Sequence, residues 1–365
     1  MPNFAPTEEQ EEIRRLAHSL ATEQLRKHAR SAEKEGDLSP KLMETIAQTG
    51  LTTPFPETYG GSGTLEAVTY TLIAEELGFG DGALAINIIG SMMGPLTVML
   101  AGDKQQQEQY ITPFCDQQKG HEQRGSLAFA ERSGGYTLAE ITASVRLEGK
   151  SYILSGSKRD VIHGAHSIPR VVLVRQEGTT GTNGLCALLL PEEGSGLHTS
   201  NDVQKLGLIA APSASYRFDH VSIRASNMLG KPGHHGVIRA ATLYNILRAG
   251  VACGMARAAL EYAMHYGKER IAFGRPIVSY QGIAFMISEM AMKLDAARLL
   301  VWRAATTWDG DAGSDTLIKE AEAAQFQAVK IAKSATIDAV QIMGGAGFMQ
   351  DHPVEMWMRN AAAME

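Results

Sequence analysis

The apolar residues of this chain change their spacing twice, and that change limits what it can fold into. Up to about residue 120 they follow helical spacing. Ile13, Leu16, Ala17, Leu20 and Ala21 recur three and four apart on a charged background. Ser39-Pro40 predicts a helix start, with Ser as N-cap and Pro at the first helical position. Leu42 and Ile46 then share a face and Gly50 is the expected stop. Leu65, Val68, Thr69, Leu72 and Ile73 form another stripe that closes near Gly78. From about 121 to 231 short apolar and β-branched runs replace the stripes: SLAFA (126–130), ITASVRL (141–147), SYILSG (151–156), PRVVLVR (169–175) and GLCALLL (184–190). Clusters of Gly, Ser, Asn and Pro separate them, as turns separate strands. From about 232 helical spacing returns in Met255, Ala258, Ala259, Tyr262, Ala263 and Tyr266, and again in Ile283, Met286, Ile287, Met290, Ala291 and Leu294. Residues 320–340 are Ala-rich, which lets helices pack closely.

This order predicts an α+β multidomain chain. The expected parts are an N-terminal helical domain (1–120), a middle β-barrel or β-sandwich domain (121–231) and a C-terminal four-helix-bundle domain (232–365). A length of 365 residues accommodates them, at ~100–200 residues per domain. Domains of this size bury a core without metal or disulfide staples. Cys115, Cys186 and Cys253 are odd in number and lack CxxC spacing, which predicts reduced core thiols in a cytoplasmic protein. The net charge of −6 argues against a general nucleic-acid binder. No run of about 18 uninterrupted apolar residues occurs, so no membrane span is expected. The N-terminal MPNFAPTEEQEEIRRL is too polar and acidic for a signal peptide.

Familiar catalytic motifs are missing. No GxGxxG follows a strand, and the sequence holds no P-loop, HExxH or GxSxG. His234-His235 is the only adjacent histidine pair, and adjacent residues of a regular element face different ways, so no metal site is expected. An enzyme built on this chain would take its chemistry from a cofactor held by other means.

Three segments carry a resemblance. ERIAFGRPIVSYQGIAFMISEMAMKLDAARLL (269–300), AVQIMGGAGFMQDHPVEMWMRNA (339–361), and FDHVSI (218–223) ahead of an Asn-x-Leu-Gly turn resemble the acyl-CoA dehydrogenase family. The family's helix, strand, helix order also matches. The resemblance implies FAD-dependent α,β-dehydrogenation of an acyl-CoA thioester in fatty acid metabolism, with an acyl-carrier-protein thioester as the other possible substrate form. It also implies electron transfer to an electron-transfer flavoprotein, and a homotetramer or heterotetramer that binds FAD across a subunit interface. In R-x-x-FG, Arg270 would meet the FAD pyrophosphate with its bidentate fork, and Phe273 would cover the adenine end beside Gly274. Gln281 matches a residue of the same region. Gln341, Gly344 and Gly345 stand where the family contacts FAD from the neighbouring subunit, the glycines allowing close backbone approach.

The middle segment departs from the family pattern. Phe129 and Glu131 stand in the flavin-contacting stretch, but Ala130 replaces its threonine and Tyr136 the substrate-side serine. Asp160 and Ile162 replace a tryptophan and a threonine. The E-x-x-x-x-Y-x-L pattern is locally similar to small subunits of heteromeric acyl-CoA dehydrogenases. The family's catalytic base is a glutamate in one of two places. One falls about three positions past Glu365, the last residue of the sequence. The other is held by Tyr244, a poor base at a reference pKa of ~10. Asn245 replaces a family arginine beside it, and Arg248 lies a turn away. Tyr136, Tyr244 and Arg248 are the expected substrate-side residues. Two other functions stay open at this point: a non-catalytic partner subunit of a heteromeric enzyme, and a flavin oxidase or monooxygenase on the same fold.

Overall fold

The computed structural model describes residues 5–63, 65–131, 135–201, 204–310 and 312–365. α1 (Glu8–Leu20) opens with a capping box between Thr7 and Gln10 and runs through a π-helical turn into α2 (Arg26–Glu35). α3 (Pro40–Ala47) begins where expected, with the Ser39 hydroxyl accepting from the Leu42 amide. It ends three residues before Gly50, whose left-handed φ of 73° shapes the following turn. α4 (Ala67–Gly80), α5 (Gly82–Ala101) and α6 (Lys104–Ile111) follow. α5 is apolar on every side, so it has no stripe for a periodicity argument to find. It is long and apolar enough by composition to cross a membrane, yet 83% of it is buried inside the fold, where it serves as a core helix.

The middle segment forms β1 (Ser126–Ala128), β2 (Ser144–Glu148), β3 (Ser151–Ile162), β4 (Arg170–Gln176), β5 (Leu185–Leu189), β6 (Leu197–Ser200), β7 (Ser213–Arg224) and β8 (Met228–Leu229). Each of the five expected runs contains a strand. The hydrogen-bonded order is β6-β7-β3-β2-β4-β5-β8, with β1 pairing parallel to β4. Val145, Leu154, Val174, Leu188, Phe218 and Val221 belong to the separate apolar core of this sheet. The pairing of β3 with β7 slips between Lys158 and Val161, and Asp160 takes a left-handed φ of 52° in the bulge.

Helices then return as α7 (His235–Glu269), α8 (Gln281–Asp309), α9 (Ser314–Met343) and the short α10 (Val354–Ala362). A two-stranded hairpin, β9 (Ile271–Ala272) with β10 (Arg275–Pro276), joins α7 to α8. α7 is the axis of the molecule, touching α4, α5, α8 and α9. Its contact with α4 is close because three glycines line it. A Cβ at Gly78 would strike the Val251 backbone, one at Gly254 the Glu75 carbonyl, and one at Gly250 would press on the Ala74 methyl at 3.0 Å. All three cysteines are free; Cys186 and Cys253 are buried and Cys115 half-buried.

Candidate functional site

A cavity of about 560 Å³ opens where the helical and sheet parts meet, within the ~300–1,000 Å³ usual for small-molecule sites. α5 contributes Ile86, the sheet domain Tyr136, Asp160 and Ile162, α7 Arg248, and the turn after α10 Met364. A second cavity of about 640 Å³ lies under α3 and α5 around Arg124, and no predicted site residue lines it.

The α7 wall is built by residues one turn apart. Tyr244 and Arg248 are both buried. The Arg248 guanidinium lies 3.7 Å over the Tyr136 ring and 5.7 Å from that of Tyr244. Tyr136 meets Phe129 and Tyr244 edge-on, at 5.5 and 5.8 Å. Arg248 Nη2 donates to the Met364 carbonyl at 2.9 Å, and Asn245 Nδ2 to the Tyr136 carbonyl at 3.0 Å. Two buried polar atoms here have no partner, Arg248 Nε and Asn245 Oδ1. Burial, reinforced by Tyr136, pushes the Tyr244 phenol well above its ordinary range, and Arg248 offsets this only in part. Tyr244 therefore stays protonated at neutral pH, able to donate a hydrogen bond but not to take a proton.

The sheet wall carries charge. Asp160 pairs with Arg159 at 3.3 Å. Lys205 also lines the cavity, donating to the Leu208 carbonyl at 2.9 Å and to that of Ala211. Burial lowers its pKa to about 8, against the pull of Asp160. Ile162 leans on α5: a Cβ at Gly90 would fall 2.6 Å from its Cγ2. Phe129 and Ala130 are buried behind this wall.

Glu131 has a task inside the chain. Its Oε1 accepts from Lys158 Nζ at 2.7 Å and from the Ala143 amide at 3.0 Å; its Oε2 accepts from Thr142 N at 2.8 Å and from the Thr142 hydroxyl. Burial alone would raise its pKa, but the Lys158 charge and these bonds hold it below the ordinary carboxylate value. With both oxygens occupied, it pins β3 to the chain leading into β2 rather than facing a ligand.

The remaining predicted residues form a separate, exposed set: Arg270, Phe273, Gln281, Gln341, Gly344 and Gly345. Arg270 caps α7, and Phe273 stands 99% exposed at the tip of the hairpin with φ 51°. Gly344 ends α9 with φ 58°, and no atom lies within 4 Å of a Cβ built there or at Gly345. None of the six lines the cavity. Glu365 sits on the cavity rim, paired with Lys333 at 2.5 Å.

The acyl-CoA dehydrogenase N-terminal, middle and C-terminal domains match residues 7–118, 126–221 and 234–365. The chain belongs to the acyl-CoA dehydrogenase family. Probable acyl-CoA dehydrogenase YngJ of Bacillus subtilis is 30% identical over 368 residues, covering 100% of this chain and 95% of that protein. The butyryl-CoA dehydrogenase structure of Megasphaera elsdenii matches with a TM-score of 0.84 and 27% identity, over 100% of this chain and 95% of that one. A structure described as the electron transferring flavoprotein of Acidaminococcus fermentans matches at 0.84 and 29%, over 100% of this chain and 94% of that one. Acyl-CoA dehydrogenases are flavoprotein oxidoreductases that act on CH–CH bonds, and the family normally binds FAD. This member of the family also places Ile86, Lys205 and Met364 on the cavity, residues that no motif marks. They arrive from three distant segments, and only the packing of α5, the sheet and the C-terminal turn brings them together.

Proposed function

We propose that the chain is an FAD-dependent dehydrogenase of acyl thioesters that passes its electrons to an electron-transfer flavoprotein. The supporting observation is the cavity itself: an apolar face from Ile86, Ile162 and Met364, met from α7 by Arg248, whose Nε has no partner among the described residues. The domain limits remain 1–120, 121–231 and 232–365 in this reading. FAD fits the residues present. Gly344 and Gly345 leave open room for close approach of a ligand to the backbone, and the exposed Arg270 guanidinium suits a pyrophosphate. Phe273 and Gln281 would hold the adenine side, Gln341 the neighbouring stretch, and Phe129 would back the ring side. When bound, FAD supplies the hydride acceptor. The chain's own residues bind and orient the acyl group: Tyr136 and Arg248 close one side, and Ile86 and Ile162 exclude water from the other. Tyr244 is too firmly protonated to serve as the base that removes the Cα proton.

The exposed cofactor set argues for assembly, because Arg270, Phe273 and Gly344 do not line the cavity of their own chain. A second copy in a homotetramer would bring them to it. The alternative of a non-catalytic subunit in a heterotetramer is favoured by the wall of Arg159, Asp160 and Lys205 and by the apolar Ala130 and Ile162, which offer a flavin no side-chain hydrogen bond. The test is to purify the protein and record its visible flavin absorbance, then add a saturated acyl-CoA without oxygen. Bound flavin that bleaches is the expected result. Flavin-free protein that still assembles would overturn the dehydrogenase reading in favour of the partner subunit.

A further inference from the structure

Three arginines are buried among the described residues, Arg170, Arg248 and Arg257, and Arg248 is the most deeply buried at 2% exposure. Arg257 meets Glu76 and Glu75, and Arg170 donates to the Ser167 carbonyl. Only Arg248 lines the cavity. A guanidinium carries five donors and a permanent charge, and removing it from water is costly unless anions or acceptors replace the lost hydration. Arg248 receives little of that replacement. No carboxylate among the described residues pairs with it; Nη2 donates to the Met364 carbonyl, the Tyr244 phenol is its other polar neighbour, and Nε has no partner among the described residues. Tyr136 covers its face. Tyr244 lies one turn away behind this pair, its ring centroid 5.8 Å from that of Tyr136. Charged groups also line the cavity, Arg159, Asp160 and Lys205 on its sheet side and Arg359 on α10, while Ile86, Leu208, Met358 and Met364 offer apolar surface suited to methylene groups.

We propose that Arg248 receives a carboxylate at the far end of the acyl chain, so that the preferred substrate is the mono-thioester of a dicarboxylic acid. The proposal rests on the thioester reading above and adds the polarity of the acyl end. A carboxylate would complete the bidentate pairing that the chain leaves open. A plain alkyl end would leave the guanidinium buried and unpaired, which penalises that substrate rather than merely failing to help it.

The test compares adipoyl-CoA with hexanoyl-CoA, equal in carbon number and different at the end group, on the flavin-loaded enzyme. Anaerobic flavin bleaching gives kcat/KM, and calorimetry gives affinity. Wild-type enzyme is expected to favour adipoyl-CoA by roughly 30-fold, the lower edge of what an unpaired buried charge costs. Arg248→Met should remove most of that ratio by raising KM for adipoyl-CoA, and Arg248→Lys should restore part of it. If wild type favours hexanoyl-CoA, or if Arg248→Met lowers both substrates equally, Arg248 only holds the Met364 turn and the proposal falls while the dehydrogenase reading stands. If neither thioester binds or bleaches the flavin, the dehydrogenase reading falls and takes the proposal with it. The wild-type ratio decides even where the variants fold poorly.

Discussion

Asp81 joins α4 to α5 and caps the second of them, its Oδ1 accepting from the Ala83 and Leu84 amides at 2.9 and 3.0 Å. It is buried, and burial pushes its pKa up to about 6 against those bonds. In an unfolded chain the same carboxyl titrates near ~3.9. Between about pH 4 and 6 the folded protein therefore holds a proton that the unfolded chain has released, and stability falls as pH rises through that window. The difference of about two units corresponds to about 3 kcal/mol. Asp81→Asn keeps the capping oxygen and cannot ionise. It should be more stable than wild type at pH 7, and the gap should close by pH 4. Urea midpoints across that range check it, and a gap that stays constant would refute the assignment. Lys158 makes the opposite case, since its removal strands a charge. Lys158→Met leaves Glu131 buried without its cation and should cost about 3–5 kcal/mol. Adding Glu131→Gln should recover part of that loss, as measured by a double-mutant cycle in urea. At this scale the sequence resemblance singles out Tyr136, Tyr244 and Arg248, and the structure brings them to one wall. What joins Arg248 to its acceptor was not legible, because the Met364 carbonyl is 116 positions away.

Helices and strands were legible where one face is wet. α1 and α3 carry apolar stripes on a polar background, and the start of α3 follows from Ser39, whereas the Thr7 capping box of α1 emerged only in the structure. α5 and much of α7 are buried all round, so their pattern carries no direction. β7 was not among the expected strands, and FDHVSI in its second half entered only through the resemblance, although buried and open positions interleave along SASYRFDHVSIR. Its polar residues resemble a loop until β3 and β6 pair with it. The fit of α4 to α7 is the most exacting feature among these elements, because backbone rather than side chain fills the gap at Gly254. Side chains can repack, whereas two helical backbones move apart only as whole elements. Gly254→Leu should therefore cost at least about 3 kcal/mol or prevent folding. Gly282→Ala, at the open first turn of α8 where nothing lies within 4 Å, should gain about 0.4–1 kcal/mol. Thermal melts of the two variants separate a general dislike of larger residues from the specific closeness of α4 and α7.

For the molecule as a whole, the candidate site is divided: a buried half around Arg248 and an exposed half around Arg270. The exposed half does not line the cavity of its own chain, and the proposed assembly would bring the halves of two copies together if some face of the molecule is made for contact. The outer side of α8 fits that description. Phe285, Met292 and Leu299 lie seven apart on one line and are exposed to 65%, 66% and 48%, while Phe326 of α9 and Phe348 stand out at 65% and 69%. Aromatic and methionine side chains on contiguous exposed positions mark association surfaces more often than solvent faces. Phe285→Glu combined with Met292→Glu should shift the sedimenting species to a smaller size. If the exposed half acts on the cavity of a neighbour, the same variant should also lose flavin, although neither substituted residue belongs to the expected cofactor set. Arg270→Ala should separate the two effects: full assembly, with flavin affinity lowered roughly 10- to 100-fold by loss of a charge-assisted phosphate contact. A double variant that disassembles yet keeps its flavin would mean that one chain holds the cofactor alone. In that case Arg270, Phe273 and Gly344 would have to fold back over their own cavity, which their placement on the hairpin and at the end of α9 does not provide.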